Sequence, residues 1–173
     1  GANWPHKRWA AERFAALGER LAESQRVQVI ITGGPEDVAL ADTIKQAMQH
    51  PAVLLAGQTT LRQLAAVLEE ASLVVSNDTG VLHIAAALQR PVVALYGPTA
   101  PTLTGPLGEP QRTIVLHHPD CCPSVPCYQP DHPAHPGMNA ITVDEVYQAA
   151  VQLLTREVGS RKLEVGKGGS PHG

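Results

Sequence analysis

LVVSNDTGVLHIAAALQRPVVALYGPT, residues 73–99, decides the fold. It opens on LVVS (73–76), a short β-branched run, and closes on PVVALY (91–96), another apolar run. Between them, residues 81–89 read as a helix. Strands that are apolar throughout, joined by a helix, predict a parallel sheet covered on both faces. The alternation continues outward in both directions. Downstream, TIVL (113–116) is a strand, and Ile141 to Glu157 a closing helix whose Thr142-Val-Asp-Glu145 start fits a capping box. Upstream, residues 8–24 form an amphipathic helix with Trp9, Phe14, Leu17 and Leu21 near one stripe, and VQVIIT (27–32) is a strand. Helical spacing returns over 36–49 through Val38, Ala41, Ile44 and Met48, followed by a brief strand at Val53-Leu54-Leu55. A further helix starts near Thr59-Thr60 under a threonine cap and runs to Ala71. The fold class is α/β. A single domain over 1–158 is expected, with a mobile Gly- and Lys-rich tail over 159–173.

Composition narrows the partners. Of 173 residues, 43% are hydrophobic but only 3% aromatic, so the core rests on Ala, Val, Leu and Ile. With a net charge of −3 and no Lys/Arg run longer than two residues, nucleic acid is not an expected partner. No apolar run approaches the ~20 residues of a membrane span. The opening GANWPHKRW lacks the apolar stretch of a secretion signal, so an intracellular protein is expected. Three cysteines make a poor disulfide scaffold.

In parallel α/β sheets, ligands bind beyond the carboxyl ends of the strands, near helix N-termini. Three strand exits carry suitable residues. After residue 76 comes Asn77-Asp78-Thr79-Gly80-Val81-Leu82-His83, where Asp78 or Thr79 can cap the helix and Gly80 lets a ligand approach the backbone. Free N–H groups there suit a phosphate, and His83 stands on the same helical face as Thr79 and Gly80. A capped helix with a surface histidine explains the same residues. The second exit, Tyr96-Gly97-Pro98-Thr99 with Thr102 and Thr104, offers hydroxyls but also reads as turn punctuation. The third, Thr32-Gly33-Gly34-Pro35-Glu36-Asp37, places carboxylates where ribose hydroxyls could be held. The G-x-G-x-x-G dinucleotide fingerprint is absent, which argues against a nicotinamide enzyme.

Taken together, NDTGVLHIAAALQRPVVALYGPTAPTLTGPLG resembles the signature region of glycosyltransferase family 9, the family of the ADP-heptose:lipopolysaccharide heptosyltransferases. Residues 78–99 follow the family pattern D-[TS]-G-x-x-H-x-A-A-A-L-x-x-P-x-x-A-L-[YF]-G-P-[TS]. The opening GANWPHKRWAAERFAAL, the turn TGGPED and the helix AGQTTLRQLAAVL are similar to further family segments, although Ala10 replaces a usual proline. The resemblance implies the C-terminal, Rossmann-like half of a two-domain GT-B enzyme. It places Gly1-Ala2 just after that half's first strand, so one core strand and the acceptor domain are expected to be missing.

By matching position, the resemblance implies a role for each candidate. Lys7 neutralises the diphosphate; Glu36 holds ribose hydroxyls, with Asp37 as a rival; Thr59 and Leu61 contact adenine. Asp78 binds sugar hydroxyls, Thr79 and Gly80 offer backbone N–H groups to the phosphates, and His83 steadies the departing diphosphate. The implied reaction is inverting, metal-independent transfer of heptose from ADP-heptose to the lipopolysaccharide inner core, with no cofactor. Acceptor recognition, the catalytic base and any peripheral membrane contact belong to the other domain, on the cytoplasmic face of the inner membrane. This half alone is then expected to bind donor without completing transfer. A GT-B enzyme using a UDP-sugar, or a non-catalytic nucleotide-binding module, would share many of these residues.

Residues 117–139 break the rhythm with His117, His118, Cys121, Cys122, Cys127, His132 and His135. The ligand types suit zinc, but no C-x-x-C pair occurs and prolines restrict the loop. A loop with reduced thiols and no metal is expected. The resembled family often ends this loop in Cys-Met, where this chain has Gly137-Met138.

Overall fold

The computed structural model describes residues 4–122, 125–127 and 135–165, the last of these from 157 onward as backbone alone. Five strands, β1 (Val29–Ile31), β2 (Ala52–Leu54), β3 (Val74–Asn77), β4 (Val92–Tyr96) and β5 (Thr113–His117), alternate with helices. The helices are α1 (Ala11–Gln25), α2 (Val38–Gln46), α3 (Leu61–Glu70), α4 (Gly80–Ala87), α5 (Pro101–Thr104), α6 (Pro136–Ala140) and α7 (Val143–Val165).

Every strand pair is parallel, but among the described residues the strands form two sheets rather than one. β1 pairs with β2, and β3, β4 and β5 form the other sheet in that order. A cavity of about 540 Å³ lies between β1 and β3, lined by residues such as Val29, Ile31, Leu40, Leu68, Val75 and Leu154. It is mostly apolar, and at one end it reaches Thr32, Asp37, Asn77 and Thr79 at the β1 and β3 exits.

β4 explains why its stretch of sequence reads without alternation. All five of its residues are fully buried, because both faces of the strand are covered. Val93 and Leu95 pack on one face with Trp9, Leu17 and Leu21 of the α1 region and Val146, Ala150 and Leu153 of α7. Val92, Ala94 and Tyr96 pack on the other with Leu68 of α3 and Leu82 and Ala85 of α4. A smaller cluster of Ala15, Met48 and Ala52 joins α1 to the β1–β2 sheet.

Caps set several boundaries. Thr60 is the N-cap of α3 and exchanges hydrogen bonds with Gln63. Thr142 and Glu145 form the expected capping box: Thr142 N–H donates to Glu145 Oε2 at 2.8 Å and Glu145 N–H to Thr142 Oγ1 at 3.2 Å. The first helix begins at Ala11 rather than residue 8, because Pro5–Lys7 form a separate 3₁₀ turn and Ala10 is extended. The short α5 and α6 were not foreseen; each starts at a proline and spans little more than a turn. α7 continues to Val165 through the helix-favouring Arg161, Lys162, Leu163 and Glu164. The tail expected over 159–173 is therefore helical as far as Val165, because these residues favour helix; residues 166–173 lie outside the described residues, as do Gly1 and Ala2.

Candidate functional site

The carboxyl end of β3 gathers the polar groups. Asp78, just past Asn77, is buried, and its backbone N–H donates to Leu95 O at 3.2 Å, fixing the β3 exit to β4. Its Oδ2 accepts from Lys7 Nζ at 2.8 Å and from Thr99 Oγ1 at 2.8 Å. His83 Nε2 stands 3.8 Å from Asp78 Oδ1. Four elements of the chain therefore converge on one carboxylate: the opening loop, the β3 exit, α4 and the β4 exit. A buried carboxylate is tolerable only with such partners.

Lys7 is held from several sides. It is mostly buried, 5.5 Å from the Trp4 ring centroid, and the preceding 3₁₀ turn sets its position. Two residues further on, Trp9 N–H donates to Asn77 Oδ1 at 3.1 Å, and Trp9 Nε1 donates to Ile141 O at 2.9 Å. These bonds dock the opening segment onto β3 and the start of the last helix. One ammonium donor serves Asp78, and two remain for a further anion.

Thr79 is the N-cap of α4, yet its hydroxyl makes no cap bond; it lies 3.2 Å from Ser76 Oγ instead. The first N–H groups of α4 thus keep their outward donors. Gly80 is exposed, and a methyl group added there would meet nothing within 4 Å. The space above the helix N-terminus is open. With the helix dipole, Lys7 and His83 around it, this is an anion-binding arrangement.

The other predicted residues line neighbouring exits. Glu36 lies in the exposed 3₁₀ turn Pro35–Asp37 after β1. Asp37 is buried and accepts from Gly34 N–H at 3.0 Å, which occupies it in shaping the turn and leaves Glu36 as the carboxylate facing solvent. Thr59 is half-buried after β2, and Leu61, opening α3, is 70% exposed. Gly57 N–H donates to Gly33 O at 3.0 Å, and Gly57 adopts a left-handed φ of +70° that favours glycine. That contact joins the β1 and β2 exits, whereas Lys7, Asp78, Thr99 and His83 form their own group at β3 and β4.

Thr99 carries more weight here than its sequence context suggested. It is buried and organises Asp78. Tyr96, beside it, donates its hydroxyl to Thr104 O at 2.7 Å; burial, and then the nearby Asp78 charge, push the phenol well above its usual range, so it remains a donor. In the sequence, Thr99 showed only as a hydroxyl following Gly-Pro at a strand exit and as the last position of the family pattern, with no role attached. In the loop beyond β5, the structure brings Cys122, Cys127 and His135 together, with Cys121 exposed; His132 lies outside the described residues.

A family model described as glycosyltransferase family 9 (heptosyltransferase) matches residues 1–132. The lipooligosaccharide heptosyltransferase 2 of Haemophilus influenzae is 39% identical over 116 residues, 65% of this chain and 33% of its own length. That of Haemophilus ducreyi is 35% identical over 156 residues, 87% of this chain and 44% of its own. Among solved structures, the Escherichia coli ADP-heptose lipopolysaccharide heptosyltransferase II superposes with a TM-score of 0.79 at 31% identity, covering 91% of this chain and 45% of that one. An E. coli heptosyltransferase solved with ADP gives a TM-score of 0.68 at 27% identity, over 88% of this chain and 42% of that one. The chain therefore spans less than half the length of these relatives.

Proposed function

Because this chain belongs to glycosyltransferase family 9, we propose that it is the donor-binding half of a heptosyltransferase, holding ADP-heptose while a heptosyl group passes to the lipopolysaccharide inner core. The observation that carries this reading is the open N-terminus of α4, with Lys7 and His83 disposed about Asp78. A diphosphate placed there meets backbone N–H groups, the spare donors of Lys7 and the exposed imidazole. In an inverting displacement the acceptor hydroxyl attacks the anomeric carbon as its bond to ADP breaks. Negative charge then grows on the departing diphosphate, so donors already in place help most in the transition state. They do so without requiring a bound metal. Glu36 takes the ribose hydroxyls and Thr59 with Leu61 the adenine, on the β1 and β2 side. Asp78 positions Lys7 and retains Oδ1, toward His83, for a sugar hydroxyl.

The base that accepts the acceptor's proton is assigned to the partner domain of the family architecture, as are the lipid acceptor and any contact with the inner face of the inner membrane. Titration calorimetry with ADP, UDP and adenosine tests the donor site. ADP should bind more tightly than UDP. Removing His83 or Lys7 should weaken ADP by roughly tenfold to a hundredfold, the worth of one charge-assisted hydrogen bond, and adenosine far less. Equal losses for ADP and adenosine would remove the diphosphate from this position, and equal or reversed ADP and UDP affinities would remove the adenine reading.

A further inference from the structure

Outside the donor site, the loop between β5 and α7 gathers three ligand-bearing side chains. The ligand atoms of Cys122, Cys127 and His135 all lie within 4.8 Å of one another. We propose that these three residues bind a zinc-class divalent ion, with water completing the tetrahedron.

Each ligand is pinned to a different piece of backbone. Cys122 N–H donates to Pro119 O at 3.1 Å, and Cys127 N–H donates to Pro98 O at 2.7 Å, tying the loop to the β4 exit. His135 is the N-cap of α6, where its carbonyl accepts from Asn139 N–H at 3.0 Å. Segments separated in sequence thus converge without a C-x-x-C pair, which is why spacing alone argued against a metal. Cys127 and His135 are 4% and 1% exposed, while Cys122 is half-buried and leaves one side of the cluster toward solvent.

The donor set selects the ion. Two thiolates and an imidazole favour zinc over magnesium or calcium, which prefer oxygen. Zinc–sulfur bonds of about 2.3 Å and zinc–nitrogen bonds of about 2.0 Å place tetrahedral ligand atoms roughly 3.5–3.8 Å apart. The observed cluster needs to contract by only about 1 Å. Binding releases two thiol protons to solvent, and the dication with two thiolates and a neutral imidazole is electrically neutral, which suits a buried position. The Gly137 N–H that donates to His135 Nδ1 at 3.2 Å must give way. Binding at Nδ1 displaces that donor, and binding at Nε2 moves the ring proton to Nδ1. That neutral hydrogen bond is small against three metal–ligand bonds. The bound ion would clamp the loop onto Pro98, next to Thr99 of the donor site.

The test uses the full 173-residue chain, purified with reductant, exposed to zinc and desalted. Elemental analysis should find one zinc per chain, and cobalt should give a thiolate-to-metal charge-transfer band. Cys121→Ser should leave both unchanged, since Cys121 is exposed and outside the cluster. Cys122→Ser, at a half-exposed position, should fold by circular dichroism but lose stoichiometric zinc and weaken the band. Wild-type protein that emerges without zinc, or a Cys122→Ser variant that keeps both signals, would overturn the proposal. Loss of zinc in Cys121→Ser would do so as well.

Discussion

Gly80 should separate folding from ligand binding more cleanly than any other position in the proposed donor site. Replacing it with alanine adds one methyl group at the first residue of α4, where nothing lies within 4 Å. No side chain or backbone atom has to move. Alanine is also the better helix residue, by up to ~1 kcal/mol. The variant should therefore melt at the wild-type temperature or up to about 4 °C higher, at ~2–4 °C per kcal/mol for a chain of this length. Binding should respond in the opposite direction. If the diphosphate packs against the bare backbone here, the methyl group excludes one phosphate oxygen from its N–H donor. The loss of a hydrogen bond to a charged group is ~1.5–3 kcal/mol, or roughly tenfold to a hundredfold in Kd. Differential scanning calorimetry and ADP titration on one preparation give both quantities. Unchanged ADP affinity in a variant of undiminished stability would refute the placement of the diphosphate, because no folding defect could account for it.

Thr99→Val should cost about 1.5–2 kcal/mol in urea denaturation, the lower part of the range for a hydrogen bond to a charged group, since Lys7 still serves the same Asp78 oxygen; Thr99→Ser should restore most of it, and a valine variant of wild-type stability would show that the hydroxyl does not support Asp78. Glu145 titrates below its ordinary value of 4.5, first because Thr142 N–H donates to its carboxylate and further because of the Thr142 hydroxyl and His118, against a smaller opposing effect of burial. Its contribution is thus present above the unfolded carboxylate range and lost as pH falls through the depressed folded value. Glu145→Gln should flatten the acid limb of stability below about pH 4.5, and superimposable acid limbs would contradict this. Residues 1–173 alone should release no ADP from ADP-heptose in an acceptor-dependent manner, since Glu36 and Asp78 are assigned to donor hydroxyls and the base to the partner domain; turnover by this chain would place the base here, and Asp78 would be the first residue to reassign.

The strand–helix rhythm was legible because burial on both faces leaves an unmistakable apolar run. The expected strand at 91–96 became β4 at Val92–Tyr96, and that at 73–76 became β3 at Val74–Asn77. Caps were equally legible, since Thr60 and Thr142 act through residues three positions away. The first turn of the second predicted helix was less so: Pro35–Asp37 is 3₁₀, shaped by the Asp37 carboxylate turning back to Gly34. Local patterns could not show that Lys7 meets Asp78 across 71 residues of chain, or that Thr99 shares the same carboxylate oxygen. Such contacts depend on which strand exits become neighbours. The clustering of Cys122, Cys127 and His135 was hidden for the same reason: it follows from where Pro98 and α6 sit.

The cavity between β1 and β3 divides the donor rim mechanically. Glu36 and Thr59 follow strands of one sheet; Asp78, Thr99 and the α4 N-terminus belong to the other. No ladder hydrogen bond among the described residues crosses from β1 to β3. α1 bridges the sheets, giving Ala15 to the core of one and Leu17 and Leu21 to that of the other. A ligand holding a nucleoside at one end and a diphosphate at the other would span the same divide from above. Such a molecule would act as a tether. It should slow hydrogen exchange in both sheets together, whereas adenosine or inorganic diphosphate, each gripping one side, should protect one sheet more than the other.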